Sequence, residues 1–178
     1  MTLSLTPFPG ERVSLDIRLT VAIARRSNTL TIGYTLRGDL AGLVTLRAAP
    51  AEQPFRKNNL WATTCFEFFV AAQDAPDYWE FNLSPAGYWN VYRFDDYRQG
   101  MREEPAFTAL PFVVNRQPDA LTIDLTVSMA DLVPADERIQ VACTAVIEHQ
   151  DGALTYWALA HCGNEPDFHR RDSFIVEL

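Results

Sequence analysis

Residues 78–101, YWEFNLSPAGYWNVYRFDDYRQGM, contain two strand-like runs on either side of a turn. In the first run, Tyr78–Leu83, apolar and polar side chains alternate, which is typical of a strand whose successive side chains point to opposite faces. The sequence SPAG that follows is rich in turn-forming residues. The second run, residues 89–94, then returns antiparallel. The stretch predicts a β-hairpin and thereby the fold class.

The register predicted for this hairpin separates an apolar face from a polar one. If Leu83 pairs with Trp89, directly opposite residues share a face, and Trp79 and Trp89 both point into the core. The other face then carries an acid, two amides and a phenol, namely Glu80, Asn82, Asn90 and Tyr92. Such a face is either an ordinary wetted sheet surface or a surface that binds a polar ligand through hydrogen bonds.

The rest of the chain also consists of short strand-like runs separated by turns. Hairpins are predicted for residues 13–24 with 29–37, 112–116 with 121–127, and 139–149 with 154–161, and single strands for 43–48, 64–72 and 173–178. Residues 128–132 hold the one helical signal, a single turn. This spacing predicts an all-β fold, an antiparallel β-sandwich of the jelly-roll or immunoglobulin-like kind with about eleven strands, as a single domain spanning residues 1–178.

Charge limits the classes of partner. The net charge is −8, Lys57 is the single lysine, and the arginines are scattered along the chain. Binding to nucleic acid or to an anionic membrane needs clustered basic residues, so neither is expected. The sequence does not specify the oligomeric state.

The cysteines and the first residues of the chain indicate where in the cell the protein is expected. Cys65, Cys143 and Cys162 are odd in number and widely spaced, which favours reduced thiols. The first residues lack a basic segment followed by an apolar one, and no apolar run is long enough to span a bilayer. We therefore expect a cytoplasmic protein.

Two carboxyl groups raise the question of catalysis. The glycine-rich phosphate motifs and the GxSxG motif are absent. Glu67 and Glu80 lie on neighbouring predicted strands, and a suitably spaced pair of carboxyls hydrolyses glycosidic bonds. The alternative is that each acid only accepts hydrogen bonds from a side chain or a ligand. A glycoside-processing enzyme thus remains open, although a non-catalytic protein is favoured.

The histidines offer a second alternative. His161 and His169 lie in one loop with acidic residues nearby, but their spacing matches no standard zinc site. Haem needs axial histidine, methionine or cysteine ligands, for which Met101 and these histidines are available. A haem- or metal-binding module is therefore an alternative, with His161 and His169 as weak metal candidates and no cofactor as the main expectation.

Trp61 differs from the other tryptophans because it follows a polar loop at the start of a strand. An indole at such an edge is either a cover over the core or a platform for a ligand. Sugars present C–H faces that stack on aromatic rings and hydroxyls that bond to fixed donors and acceptors. Aromatic residues beside acids and amides are thus typical of a sugar site.

Three segments together resemble the bacterial DOMON-like proteins, which are similar in turn to family 9 carbohydrate-binding modules. They are residues 60–70 (LWATTCFEFFV), residues 78–101, and residues 166–178 (PDFHRRDSFIVEL). The resemblance implies a β-sandwich with a sugar or haem site on one side. In family 9 modules two tryptophans hold a terminal sugar above polar groups. Family 9 modules also tend to bind calcium, but this chain lacks an aspartate-rich calcium loop.

The resemblance also implies roles for individual residues. Trp61 occupies a position like that of the first sugar-binding tryptophan, and Trp157 is the candidate for the second. Polar positions of the DOMON-like pattern match Glu67, Glu80, Asn82 and Arg98. The leading hypothesis is non-catalytic binding of a small carbohydrate or related polar ligand by Trp61, Glu67, Glu80, Asn82, Tyr92, Arg98 and Trp157.

Overall fold

Thirteen β-strands and two short 3-10 turns make up the regular structure of the described residues. The computed structural model describes residues 1–11, 16–43 and 54–178. The strands are β1 Thr2–Pro7, β2 Ile17–Arg26, β3 Thr29–Gly38, β4 Phe55–Arg56, β5 Cys65–Ala72, β6 Tyr78–Leu83, β7 Tyr88–Phe94, β8 Arg102–Glu103, β9 Phe112–Gln117, β10 Ala120–Ser128, β11 Ile139–Glu148, β12 Leu154–Ala158 and β13 Val176–Glu177. The turns are Leu60–Ala62 and Arg171–Ser173. The predicted all-β class is confirmed.

The strands follow one hydrogen-bonded path, with β1 joining two arms. The order is β4-β7-β6-β5-β11-β12-β1-β2-β3-β10-β9, with β8 added to β7 and β13 to β11. Thr2 to Leu5 of β1 pair with β2, whereas Thr6 and Pro7 pair with β12. All the strand pairs are antiparallel except β4 with β7, within the part of the chain that the structure describes.

The main core lies between the two arms, because the path curls until their inner faces meet. Tyr34 of β3 packs on Phe66 of β5 with ring centroids 5.3 Å apart, and its hydroxyl donates to the backbone carbonyl of Glu67. Phe68 and Phe81 stack at 4.4 Å in the same core. Burial of these alternate side chains is what drives the arms together.

The predicted hairpin forms with the predicted register. Leu83 pairs with Trp89, and the pairs Glu80–Tyr92 and Asn82–Asn90 follow. Trp79 and Trp89 are both buried in the main core, as expected from the alternation.

Other predicted elements need adjustment. The three further hairpins form, but residues 13–15 of the first lie outside the described residues, as does all of the predicted strand 43–48 except Leu43, which makes one bridge to His149. Residues 128–132 form a turn in which Ser128 Oγ accepts from the amide of Ala130, and no helix follows. The final strand is two residues long. Strand β1 was not predicted, although Leu3 and Leu5 alternate with polar residues, because the run is short and is followed by Pro7 and Pro9.

A second apolar cluster covers the outer face of β5, β6, β7, β11 and β12. The segment 159–175 crosses this face and places Phe168 and Phe174 against Phe69, Tyr78 and Phe94. The polar side of the hairpin is therefore enclosed by the chain itself and is not a wetted surface.

Among the described residues, no helix is long and apolar enough to span a bilayer.

Candidate functional site

A cavity of about 340 Å³ opens between the outer sheet face and the segment 159–175. Its lining combines two acids with aromatic, aliphatic and basic side chains: Trp61, Glu67, Glu80, Phe94, Arg98, Met101, Val146, Tyr156, Pro166, Phe168 and His169. The volume lies at the small end of the range for small-molecule sites. Four of the seven predicted site residues line this one cavity, namely Trp61, Glu67, Glu80 and Arg98.

The floor of the cavity is formed by Glu67 on β5 and Glu80 on β6. Glu67 pairs with Asn82, and Phe69 pairs with Glu80, so the two acids are diagonal neighbours on one face. Both carboxyls are buried, with Glu67 3% and Glu80 4% exposed. Burial in a strand face thus brings two carboxyl groups together beneath the cavity.

The pKa values of both acids are raised. Burial, followed by the charge of Glu80, raises the pKa of Glu67 well above its ordinary value. Burial raises the pKa of Glu80 to about 7, against the opposing effects of the hydrogen bond from Asn82 and the charge of Arg98. A low-dielectric site disfavours two negative charges on adjacent strands, so the pair holds a proton near neutral pH.

Asn82 stands beside the two acids on the same sheet face and is not among the residues that line the cavity. Its Nδ2 donates to Oε1 of Glu80 at 2.7 Å, and its Oδ1 accepts from Sγ of Cys65 at 3.4 Å. The amide is fully buried, so it orients one carboxyl oxygen of Glu80. Oε1 of Glu67, in contrast, is buried without a hydrogen-bond partner among the described residues.

His169 closes one side of the floor as a neutral imidazole. Its Nδ1 lies 2.8 Å from the hydroxyl of Tyr78, and its Nε2 lies 3.9 Å from Oε2 of Glu80. Burial, followed by the charge of Arg98, lowers the pKa of His169 to about 4. The hydroxyl of Tyr78 also accepts from the backbone N–H of Arg98 at 3.2 Å, and burial raises its pKa to about 12.

Trp61 forms a wall above the floor and rests on Tyr92. The turn Leu60–Ala62 presents the half-buried indole edge-on to the Tyr92 ring, with centroids 5.6 Å apart. The Tyr92 hydroxyl donates to Oδ1 of Asn58 at 2.7 Å and accepts from Nδ2 of Asn90 at 2.8 Å. Tyr92 therefore positions Trp61, but it is not among the lining residues.

Trp157 and His161 lie away from the cavity. Trp157 points into the main core, where it is 4% exposed and its Nε1 donates to Oγ1 of Thr155. Its neighbour Tyr156 points the opposite way and lines the cavity, because successive strand residues face opposite sides. Nε2 of His161 bonds to the carbonyl of Thr6 at 2.9 Å. The predicted second tryptophan wall is thus replaced by Tyr156 and Phe168.

The structure also bears on metal binding. Within residues 1–11, 16–43 and 54–178, no three His, Cys, Asp or Glu side chains are grouped closely enough to hold a metal ion. Of the two weak metal candidates, His169 lines the cavity and His161 does not. The expectation of no cofactor, with calcium or haem as alternatives, stays a prediction.

The mouth of the cavity is tied to the segment 159–175 through Asp167. Its carboxylate accepts from the Tyr97 hydroxyl at 2.6 Å and from Nη2 of Arg98 at 2.9 Å, and also from the backbone N–H of His169 at 3.2 Å. Burial by itself raises the pKa of Asp167, but the hydrogen bonds from Tyr97 and Arg98 outweigh it and lower the pKa below its ordinary value. Arg98, whose Nη2 reaches Asp167, has a left-handed φ of 52°.

We expect Asp167→Ala to lower the free energy of unfolding by about 1.5 kcal/mol, because it removes charge-assisted hydrogen bonds from a side chain that is 13% exposed. Urea unfolding measures the change, and hydrogen exchange should rise at residues 97–98 and 167–169. Asp172→Ala is the matched control, since the Asp172–Arg170 pair is exposed and should contribute much less to stability. Equal losses in the two variants would contradict a specific clamp.

Sequence reasoning missed several lining residues. Phe94 could have been predicted from the sequence, because it lies on the same strand face as Tyr92. Tyr156, Phe168 and Pro166 had no local signal, since they approach the floor from distant parts of the chain.

The comparisons with known proteins agree with an all-β fold. No protein-family model matches the chain, and no curated protein matches it. Among solved structures it is similar to a candidate carbohydrate-binding protein from Bacteroides uniformis ATCC 8492, with a TM-score of 0.67 and 12% identity over 97% of this chain and 83% of that one. It is also similar to a family 9 carbohydrate-binding module from Caldicellulosiruptor kristjanssonii in complex with cellotriose, with a TM-score of 0.50 and 5% identity over 89% of this chain and 71% of that one. At these identities the likeness shows the shared fold.

Proposed function

We propose that the protein binds a small carbohydrate or a related polar ligand in the cavity between Trp61 and the Glu67–Glu80 floor, without catalysing a reaction. The observation that carries this proposal is the joining of an aromatic wall and a buried polar floor in one small cavity. Sugars need this combination, because their C–H faces pack on rings and their hydroxyls need fixed partners. The fold of the two solved relatives, which are described as carbohydrate-binding, supports it.

The family assignment is part of the proposal. We propose a DOMON-like domain related to family 9 carbohydrate-binding modules, with a sandwich-like packing of the two arms. Trp61, Glu67, Glu80 and Arg98 contact the ligand in this proposal, and Asn82 and Tyr92 position them. We also propose a cytoplasmic location, which the free thiols of Cys65, Cys143 and Cys162 support.

The arrangement of the carboxyls favours binding over glycoside hydrolysis. A glycosidase places its two carboxyls on either side of the scissile bond. Glu67 and Glu80 instead project from adjacent strands of one sheet face, so both lie beneath a ligand. Asn82 also holds one oxygen of Glu80, which suits a fixed acceptor better than a group that must transfer a proton.

Haem binding is the second candidate, because Met101 and His169 line the same cavity. The fit is poor, since a haem presents a broad apolar face and the floor carries two buried acids. Absorbance titration with haemin tests the idea, and a Soret shift lost in His169→Ala but kept in His161→Ala would support it. A spectrum identical to that of free haemin would exclude it.

Calorimetric titration against a panel of mono- and oligosaccharides tests the main proposal. We expect at least one monosaccharide to bind with a dissociation constant in the micromolar to millimolar range, as expected for a small ligand with few anchoring groups. Ligand-induced quenching of tryptophan fluorescence should accompany binding and should be lost when Trp61 is replaced. The proposal would be refuted if no member of the panel gave a heat of binding and if the calorimetric traces of Trp61→Ala were the same as those of the wild type.

A further inference from the structure

The floor of the cavity holds two acids that no cationic side chain neutralises, within the residues that the structure describes. Within the described residues Glu67 makes no ion pair. The one possible ion-pair partner of Glu80 there is His169, which is neutral near pH 7. Arg98 lies at the mouth and is paired with Asp167, with its side chain 51% exposed. The two carboxyls are therefore available to a cationic ligand, which favours their ionised forms.

Oε1 of Glu67 lacks a hydrogen-bond donor among the described residues, and this indicates which kind of ligand group would fit beside it. Each oxygen of a buried carboxyl normally accepts at least one hydrogen bond. Oε1 of Glu80 accepts from Asn82, but Oε1 of Glu67 is buried and receives no donor in the described part of the chain. Leaving a buried acceptor unpaired is costly, so a ligand that brings a strong donor to Glu67 gains more than one that does not.

We propose that the preferred ligand is an amino sugar, whose primary ammonium group binds between Glu67 and Glu80 while its ring packs on Trp61. This inference rests on the proposed function and narrows it to a substrate class. An ammonium offers three N–H donors and a positive charge to two adjacent acceptors. Charge-assisted hydrogen bonds of this kind are about twice as strong as neutral ones.

The walls of the cavity also favour an organic cation. The rings of Trp61, Phe94, Tyr156 and Phe168 surround the floor, and aromatic faces attract an ammonium group. A metal ion is a poorer occupant, because Ca²⁺ needs about six to eight oxygen ligands and these walls supply apolar carbon. A cavity of about 340 Å³ also has room for a ring that a bare ion would leave empty.

Proton release is expected when the ammonium binds. The floor holds a proton near neutral pH, since burial raises the pKa of Glu80 to about 7, and burial followed by the charge of Glu80 raises the pKa of Glu67. A bound ammonium stabilises both carboxylates, so this proton leaves and affinity rises with pH from about 6 to 7. The other titratable groups around the pair are Cys65, Tyr34, Tyr78, Tyr92, Tyr156, Arg98, Asp167 and His169.

The test compares three matched sugars by calorimetry at pH 6.5, where the amine is protonated. The probes are glucosamine, glucose and N-acetylglucosamine, with the galactose series run in parallel. We expect the amino sugar to bind at least about tenfold more tightly than its neutral counterpart. Titrations in two buffers of different ionisation enthalpy should show proton release for the amino sugar and none for the neutral sugars.

Two variants separate the floor from general effects of charge. Glu67→Gln keeps the shape of the floor and should reduce the amino-sugar preference to less than about twofold, while thermal unfolding confirms that the variant is folded. Glu177→Gln removes an exposed acid on β13 and should leave the preference unchanged.

The outcomes distinguish this inference from the proposed function. Neutral sugars that bind as tightly as amino sugars, without proton release, would overturn the inference and leave carbohydrate binding intact. A preference that survives in Glu67→Gln, or binding of Ca²⁺ in place of the amine, would also overturn it. Absence of binding by every sugar would overturn both.

Discussion

Glu67→Gln should raise the free energy of unfolding by about 3 kcal/mol at pH 8.5, because an uncompensated charge buried in the floor is strongly destabilising. The carboxyl of Glu67 ionises only at a pKa well above its ordinary value, owing first to burial and then to the charge of Glu80. Glutamine has nearly the same volume, carries no charge, and offers an amide donor toward Glu80. The effect should be largest where the wild-type carboxyl is ionised.

The sign of the pH dependence follows from proton linkage. When the folded pKa of an acid is raised, the folded state holds a proton that the unfolded state has lost, so stability falls as pH rises from the unfolded to the folded pKa. For Glu80 this interval runs from about 4.5 to about 7 and corresponds to a loss of about 3 kcal/mol. For Glu67 the change has the same sign, because burial and the charge of Glu80 raise its folded pKa as well.

His169 acts in the opposite direction over the acidic range. Its folded pKa is lowered from 6.5 to about 4, so its contribution to stability is present above pH 6.5 and is lost as pH falls toward 4. Between about pH 4.5 and 6.5 the effects of Glu80 and His169 therefore largely cancel. Above pH 7 the decline in wild-type stability should combine the effect of Glu67 with that of the buried thiols of Cys65 and Cys143, whose pKa values burial also raises.

Urea unfolding at pH 5.5, 7.0 and 8.5 measures these effects. Burial raises the folded pKa values of Cys65 and Cys143, so these thiols add to the alkaline decline of wild type and variant alike, and the difference between the two profiles reports on Glu67. The wild type should lose stability between pH 7.0 and 8.5, and Glu67→Gln should lose much less. Glu177→Gln, which alters an exposed acid, should follow the wild type. If Glu67→Gln and the wild type show parallel pH profiles, the buried pair is not the source of the alkaline decline.

Trp61→Ala should weaken sugar binding about 50-fold while the protein stays folded. A buried tryptophan at the centre of a binding site contributes about 2 kcal/mol or more when it is truncated. The indole lies outside the main core, so most of the stability should be retained, although its removal exposes Tyr92. Calorimetry with the tightest sugar of the panel measures the loss, and far-UV circular dichroism monitors the fold.

Two further variants define the role of the ring. Trp61→Phe keeps an aromatic surface and should lose only about fivefold in affinity. Tyr92→Phe keeps the supporting ring but removes the hydroxyl that bonds to Asn58 and Asn90. It should lower affinity less than Trp61→Ala does, because it loosens the platform without removing it. Unchanged affinity in Trp61→Ala would place the sugar elsewhere.

Much of the fold was predictable because it depends on local alternation. The Tyr78–Leu83 run and its return strand specify both the hairpin and its register, since the SPAG turn is short and the two faces differ in polarity. The pairs Glu80–Tyr92 and Asn82–Asn90 followed directly from that register and are confirmed. Alternation also assigned Trp79 and Trp89 to the core correctly, because strand side chains have only two directions available.

The composition of the site was only partly predictable. Glu67 and Glu80 were identified because their strands are adjacent, and Trp61 because it precedes a strand. Asn82 and Tyr92 were expected to contact the ligand, but on the same sheet face they lie outside the lining of the cavity, where Asn82 bonds to Glu80 and Tyr92 contacts Trp61. Whether a polar strand residue reaches a cavity depends on what covers it, and that information is not local.

The sequence by itself thus determined the all-β class, the register of the central hairpin and the clustering of its polar side chains, because strand periodicity and turn chemistry act between near neighbours. Only the tertiary structure decided that the segment 159–175 covers this face. It thereby converts a polar surface into an enclosed cavity and brings Tyr156, Phe168 and His169 to the acids. The same covering buries Glu67 and Glu80, and the raised pKa values of the two acids are a consequence of that burial.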